Sequence, residues 1–284
     1  MSKQTMINVF QIYYDSTTQA QVDPLFIPLE NTGNPRPDWR EYWPIRNYFL
    51  EHGINKDELY GFFSPNFRNK TGLSGQAVYD FIAANPGQDV YTFSPFIQEA
   101  ACYLNTFEQG NRHHPGLLAV ADQFLKNIEV QVDFESFVMD FTSSIYCNYF
   151  VAKPAFWEKW FSLTERLFDL AENHNDDLAD QLNSATRYSK GPVDMKVFIM
   201  ERICSLILAL DREQSVANYD IAKMPWSHPL YFPYREELFT ANALKLAYAH
   251  TNQIVYLRQF YELRRRILNK CDPQFEDNGS NFFR

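Results

Sequence analysis

Ile7-Asn-Val-Phe-Gln-Ile-Tyr-Tyr14 is rich in β-branched and aromatic side chains and reads as a buried strand, ended by the polar turn Asp15 to Thr18. Two later runs repeat its character: Glu58-Leu-Tyr-Gly-Phe-Phe-Ser64 and Asp89-Val-Tyr-Thr-Phe-Ser94, each followed by a proline. Helical segments fall between them. One runs from Asp38 to about Glu51 with Gly53 at its end, the other from Ser74 to about Ala84 before the turn Asn85-Pro-Gly87. Val22 to Leu29, with Pro24 and Pro28, reads as an extended connector. Strand, helix, strand, helix, strand is the order of an α/β protein with a mostly parallel sheet flanked by helices. Such sheets bind ligands beyond the C-terminal ends of their strands. The loops after Tyr14, Ser64 and Ser94 are therefore expected on one functional face.

Between the first strand and first helix lies Asn31-Thr-Gly-Asn-Pro-Arg-Pro-Asp-Trp-Arg-Glu-Tyr-Trp-Pro-Ile-Arg46. Gly33, Pro35 and Pro37 make its first half a loop. Asp38 stands at an N-cap position with Glu41 at capping-box spacing. A helix N-terminus attracts anions, and Arg36, Arg40 and Arg46 add positive charge near it. This segment is expected to form one wall of an anion-accepting pocket. The plainer alternative is a capped helix whose rings, Trp39 included, are core.

The middle and end of the chain turn helical. Phe96 to Phe107 and Gly116 to Asn127 are expected helices, separated by a loop that carries His113 and His114. Ile145 to Val151 reads as a strand holding Asn148. Pro154 opens an amphipathic helix through Leu170. Asp194 to Leu210 is a helix, apolar after Asp194 but for Lys196, Glu201 and Arg202, with Ser205 the other polar residue. After Pro225 to Pro233, a long helical segment from Tyr234 to Asn269 ends near Arg264-Arg-Arg266, expected as a solvated helix end. Residues 1–215 are assigned to one α/β domain and 216–284 to a helical C-terminal extension packed on it.

The formal net charge of −9 argues against a general nucleic-acid binder held by phosphate contacts. Cys102, Cys147, Cys204 and Cys271 form no C-x-x-C pair, which points to a reducing, cytoplasmic setting. The N-terminus lacks a signal-peptide pattern, and no run approaches the ~18 apolar residues of a transmembrane helix. There is no G-x-G-x-x-G, Walker loop, G-x-S-x-G elbow or H-E-x-x-H, so the commonest dinucleotide, NTPase, hydrolase and zinc-protease readings fall away.

Three segments, in order, carry a resemblance. Trp39-Arg-Glu-Tyr-Trp-Pro-Ile-Arg-Asn-Tyr-Phe49 leads into Tyr60-Gly-Phe-Phe-Ser-Pro65; Cys147-Asn-Tyr-Phe-Val-Ala-Lys-Pro-Ala-Phe-Trp157 follows; then Val197-Phe-Ile-Met-Glu-Arg202. Together they resemble the GT-A-fold, nucleotide-sugar-dependent glycosyltransferases of bacterial polysaccharide synthesis. The resemblance implies a Rossmann-like GT-A domain that moves a sugar from a nucleotide-sugar donor, a UDP-sugar foremost, to a glycan or lipid-linked acceptor. Members of that family commonly hold Mn²⁺ or Mg²⁺ on an Asp-x-Asp motif. Here that position reads Ser64-Pro65-Asn66. Either the metal is held elsewhere, or cations such as Arg36, Arg46, Arg68 and Lys70 neutralise the departing diphosphate.

The same resemblance assigns roles. Tyr13, Tyr14, Arg36, Asp38, Trp39, Arg46, Ser64, Asn66 and His228 are expected on the donor side. Tyr13 and Tyr14 would stack on the base, and His228 would cap the diphosphate. His113 and His114 are expected on the acceptor side. Glu201 and Asn148 are the catalytic candidates: a carboxylate in an apolar helix is costly to bury unless it is used or paired with Lys196 or Arg202. Arg264 to Arg266 would touch anionic lipid if the enzyme works at a membrane surface. The rival expectation is a catalytically inactive relative that keeps the fold to bind a nucleotide or glycan.

Overall fold

A computed structural model describes residues 5–186, 191–226 and 228–272. Its strands are β1 (Met6–Tyr13), β2 (Ile27–Glu30), β3 (Glu58–Phe63), β4 (Val90–Thr92), β5 (Phe150–Ala152), β6 (Ala185–Thr186), β7 (Val193–Asp194) and β8 (Val216–Asn218). Six of them form one sheet in the order β2-β1-β3-β5-β4-β8, while β6 and β7 pair separately as a short antiparallel ladder. All neighbours in the large sheet run parallel except β5, which is antiparallel to both β3 and β4. The fold is thus α/β with a mostly parallel, Rossmann-like sheet flanked by helices.

Period-two burial explains why these runs are strands. Phe10 and Ile12 of β1, Tyr60 and Phe62 of β3, and Phe150 and Ala152 of β5 enter the core on one face. Val9, Leu59, Phe63 and Val151 enter the core on the other. Gly61 sits where β3 meets β5; a Cβ there would lie 2.6 Å from Val151 Cγ2, so only glycine lets these strands approach.

Several elements differ from the sequence expectation. The proline-bearing connector contains β2, an edge strand, where Pro28 does not break an interior ladder. The expected strand through Asn148 starts only at Phe150. Cys147 and Asn148 before it are left-handed, with φ of 62° and 52°. The expected extension from residue 216 begins with β8, which pairs with β4.

Helices α1 (Ser16–Gln19), α2 (Tyr42–His52), α3 (Phe67–Thr71) and α4 (Gly75–Ala84) fill the first connections. Helix α2 begins at Tyr42, not Asp38. Residues Pro37–Trp39 form a separate 3₁₀ turn, and Arg40 at φ 48° breaks the path into the helix. Helix α4 starts at the expected cap, where the Ser74 hydroxyl accepts from the Ala77 N–H. The expected helix to Phe107 is split into α5 (Ile97–Cys102) and α6 (Thr106–His113), because Asn105 caps a new start by accepting from the Glu108 N–H. Next come α7 (Leu117–Asn127), α8 (Pro154–Asn173) and α9 (Asp177–Leu182). The expected Asp194–Leu210 helix is two, α10 (Met195–Met200) and α11 (Ile203–Leu210), parted at Glu201 and Arg202. Among the described residues no helix is long and apolar enough to cross a membrane.

The long C-terminal segment is a hairpin of α12 (Arg235–Thr251) and α13 (Ile254–Cys271), turned at the left-handed Asn252. It packs on α5 through Leu238, Leu257, Phe260 and Ile267. Two buried cations fasten it. Lys245, 0% exposed, donates to the carbonyls of Ala100, Tyr103 (2.8 Å) and Met139 (2.6 Å). Arg264, also 0% exposed, pairs with Glu108 at 2.8 Å and stacks on Tyr261. Arg264 is therefore no solvated helix end, and it cannot reach a lipid surface from this position.

Candidate functional site at the strand ends

The chain runs from β1 to β2 on one side and then crosses to β3 on the other, so the sheet order reverses at β1. Ligands bind α/β sheets in the crevice outside the strand ends at such a reversal. A cavity of about 510 Å³ lies there, lined among others by Tyr14, Arg40, Glu41, Ser64, Lys70 and Glu201. A larger one of about 960 Å³ adjoins it, bounded by Phe96, His113, His114, Tyr146, Lys70 and Glu201. A small recess of about 50 Å³ also opens on Lys70 and Glu201, with Asn148 and Trp39 in its wall. Lys70 and Glu201 thus stand where the three spaces meet.

The backbone is strained here. Non-glycine residues with positive φ are rare, and they persist where the surroundings over-determine them. Among those in the described residues, Asn34, Arg40, Phe96, Cys147 and Asn148 all line these spaces. The Asn148 amide oxygen is buried without a hydrogen-bond partner among the described residues.

Glu201 sits at the break between α10 and α11. Its two expected partners are taken. Lys196 donates to Asp38 (2.8 Å) and Asn183 (2.7 Å). Arg202 donates to the Thr106 carbonyl (2.7 Å), the Phe198 carbonyl and Gln109 Oε1 (2.9 Å). The Glu201 carboxylate has no hydrogen-bond or ion-pair partner among the described residues. Burial raises its pKa above the ordinary glutamate value, against the lowering charges of Arg202, Lys70 and Arg40. It keeps part of its surface open to the cavities. Lys70 donates to Cys147 Sγ at 3.1 Å and faces the rings of Tyr149 (5.9 Å) and Phe96 (6.0 Å). Burial, partly countered by Lys70, pushes the Cys147 thiol up to about 11, so it is no ready nucleophile.

The remaining candidates divide. Tyr14 lines the crevice, and burial, then Glu41, raises its phenol pKa. Ser64 and Asn66 line it too, although the Ser64 hydroxyl is already bonded to the Tyr149 hydroxyl at 2.6 Å. His113 and His114 border the larger cavity. His113 lies 3.4 Å from Glu99, and His114 stacks on Phe198 with centroids 3.5 Å apart. Tyr13 lines none of the three spaces; it is buried in the sheet opposite Glu30 of β2.

Arg36, Asp38 and Arg46 line none of the three spaces. Asp38 does not cap a helix: it accepts from Arg36 (2.7 Å) and Lys196. Burial raises its pKa, but those two bonds outweigh it and hold the acid at about 2. Arg36 also pairs with Glu172 at 2.6 Å, and the Trp39 indole N–H donates to the same carboxylate. Arg46 grips Glu165 with two bonds, 2.7 and 2.9 Å. This network clamps the loop to α8 and α10; it does not offer charge to a ligand. His228 is likewise excluded from the crevice. Its Nδ1 accepts from the Leu230 N–H and caps the 3₁₀ turn Pro229–Tyr234.

Comparison of the chain with protein-family profiles, curated proteins and solved structures gives no match.

Arg40, Glu41, Lys70 and Arg202 surround Glu201; the sequence offered Arg40 and Lys70 as cations for a ligand, Arg202 as a partner of Glu201 and Glu41 only as a capping residue, and did not group them. The net formal charge of the protein is −9, yet three cations and two carboxylates meet here, one carboxylate pushed toward its neutral form. Gly110 guards this arrangement, because a Cβ there would collide with the pinned Arg202 guanidinium. Gly110→Ala is expected to destabilise the fold by about 1–3 kcal/mol, seen as a lower urea midpoint at unchanged slope.

Proposed function

We propose that the protein is a glycosyltransferase of GT-A type that takes a nucleotide-sugar donor, a UDP-sugar foremost, in the crevice beyond β1 and β3. The observation that supports this most is Glu201, a carboxylate with raised pKa and no partner among the described residues, at the junction of two ligand-sized spaces. One space suits a donor and the adjoining one, with His113 and His114, a glycan or lipid-linked acceptor. In the reaction the acceptor hydroxyl attacks the anomeric carbon, and the bond from that carbon to the diphosphate oxygen breaks. Glu201 takes the hydroxyl proton, a role for which a pKa raised toward the working pH is suited. Cationic groups stabilise the negative charge that gathers on the leaving diphosphate.

The Mn²⁺ or Mg²⁺ of the family fits poorly. Among the described residues no three His, Cys, Asp or Glu side chains come together as a metal site. Glu41 and Glu201, the carboxylates of the donor crevice, share it with Arg40 and Lys70.

A melting screen against UDP, GDP, CMP and TDP, with and without Mn²⁺, tests the reading. A true donor nucleotide at 100 times its Kd is expected to stabilise the fold by about 2.7 kcal/mol. No shift with any of them removes the donor site. The missing Asp-x-Asp at Ser64-Pro65-Asn66 favours a second reading, an inactive nucleotide- or glycan-binding protein. Binding without release of nucleoside diphosphate from the matching donor and an acceptor would select it.

A further inference from the structure

We propose that α12 is the interface of a two-fold dimer, packed antiparallel against α12 of a second copy of this chain. The proposal is independent of the chemistry of the crevice.

Helix α12 is amphipathic in an inverted sense. Its inner face carries Asn242, which accepts from the Phe141 N–H, and Lys245 on its three carbonyls, beside Leu238 and Ala241. Its outer face carries Phe239, Ala243 and Leu246, all exposed. Helical spacing sets these three on one stripe. Of the eleven exposed large apolar side chains among the described residues, six lie between Leu230 and Val255. Phe232, just before the helix, is 55% exposed, and Ile254, just after it, 45%. Apolar residues gathered in one segment and rimmed by charge mark an association surface.

The pattern of the stripe indicates what covers it. Ala243 is its centre. Glu236 stands seven residues before Ala243 and His250 seven after, both exposed and on the same face of the helix. Phe239 and Leu246 lie between them on either side of the centre, and Phe232 and Ile254 stand eleven residues out. A two-fold axis at Ala243 turns this stripe onto itself. Phe239 then packs against the partner's Leu246 and Glu236 meets the partner's His250, each contact made twice. The small Ala243 side chain lets the two helix axes approach closely, and their opposed macrodipoles attract. A parallel pairing would instead set Glu236 against the partner's Glu236. Glu236 and Glu237 at the start of the helix also oppose an anionic lipid surface.

Sedimentation of the full chain over a range of concentrations tests this. The parent is expected to dimerise in the micromolar range. Leu246→Lys changes an exposed position and is expected to raise the dimer Kd at least about tenfold while the fold is kept. Ala243→Cys is expected to give a disulfide-linked dimer in oxidised glutathione, a link absent from the parent, because the two copies of this position face each other across the axis. Glu236→His and His250→Glu are each expected to weaken the dimer, and the two together to restore it. If Leu246→Lys fails to fold by its melting curve, the cross-link and the charge exchange decide. A parent that stays monomeric at every concentration overturns the proposal, whether or not it binds anionic vesicles. A dimer that Ala243→Cys does not link, or that folded Leu246→Lys leaves intact, overturns it as well.

Discussion

Glu201→Gln is expected to lower sugar transfer by about 10²–10⁴-fold, the span that general-base catalysis supplies, while the protein stays folded. Glutamine keeps the shape and hydrogen-bonding length of the side chain but cannot accept the acceptor's proton. The variant also has a signature in stability. A carboxylate whose folded pKa is raised binds a proton more readily in the native state than in the unfolded chain. Its contribution is favourable below the unfolded value of 4.5 and is lost as pH rises through the raised folded value. Above that window the native protein carries an uncompensated charge that Glu201→Gln lacks. The variant is thus expected to melt higher than the parent at pH 8, with the difference shrinking toward pH 4. Transfer that survives unchanged would end the catalytic assignment. A parent that melts higher than the variant at pH 8 would show that the carboxylate is paired after all, and a difference independent of pH would show that its folded pKa is not raised.

Lys245→Met is expected to cost about 3 kcal/mol or more, from orphaned carbonyls at about 1–3 kcal/mol each. The ammonium serves carbonyls at Ala100, Tyr103 and Met139, the first two at the end of α5, where helical partners run out. Methionine fills the space but gives these oxygens no donor. Replacing a buried charge by an apolar group is often harmless when its partners leave too. Here they remain, because they belong to the backbone. Urea unfolding followed by tryptophan fluorescence reads the effect. An unchanged midpoint would mean that water reaches the three carbonyls.

The fold class was legible because β1 and β3 are long, apolar on both faces and separated by helical segments. Their neighbours were harder. A three-residue strand such as β8 has too little pattern to stand out, and β2 carries a proline that only its edge position permits. The break of the Asp194–Leu210 helix left no mark in composition, yet it is what frees Glu201 from its helix. Glu201 itself was visible as a carboxylate in an apolar run. The arginine-rich loop misled for a physical reason: charge counted along a sequence says nothing of the carboxylates that fold against it. Glu172 and Glu165, more than a hundred residues away, claim Arg36 and Arg46. Arg40 lines the crevice instead.

The Lys245 fastening also bears on how the chain is made. Its three carbonyl partners precede it by 145, 142 and 106 residues. At typical elongation rates the end of α5 therefore waits on the order of 5–30 s before its donor emerges from the ribosome. Throughout that interval Leu104, Tyr103 and Val138 have no α12–α13 hairpin to cover them. The nascent chain passes through a stage in which its sheet is complete in sequence but one wall is bare, and a chaperone has most to offer there.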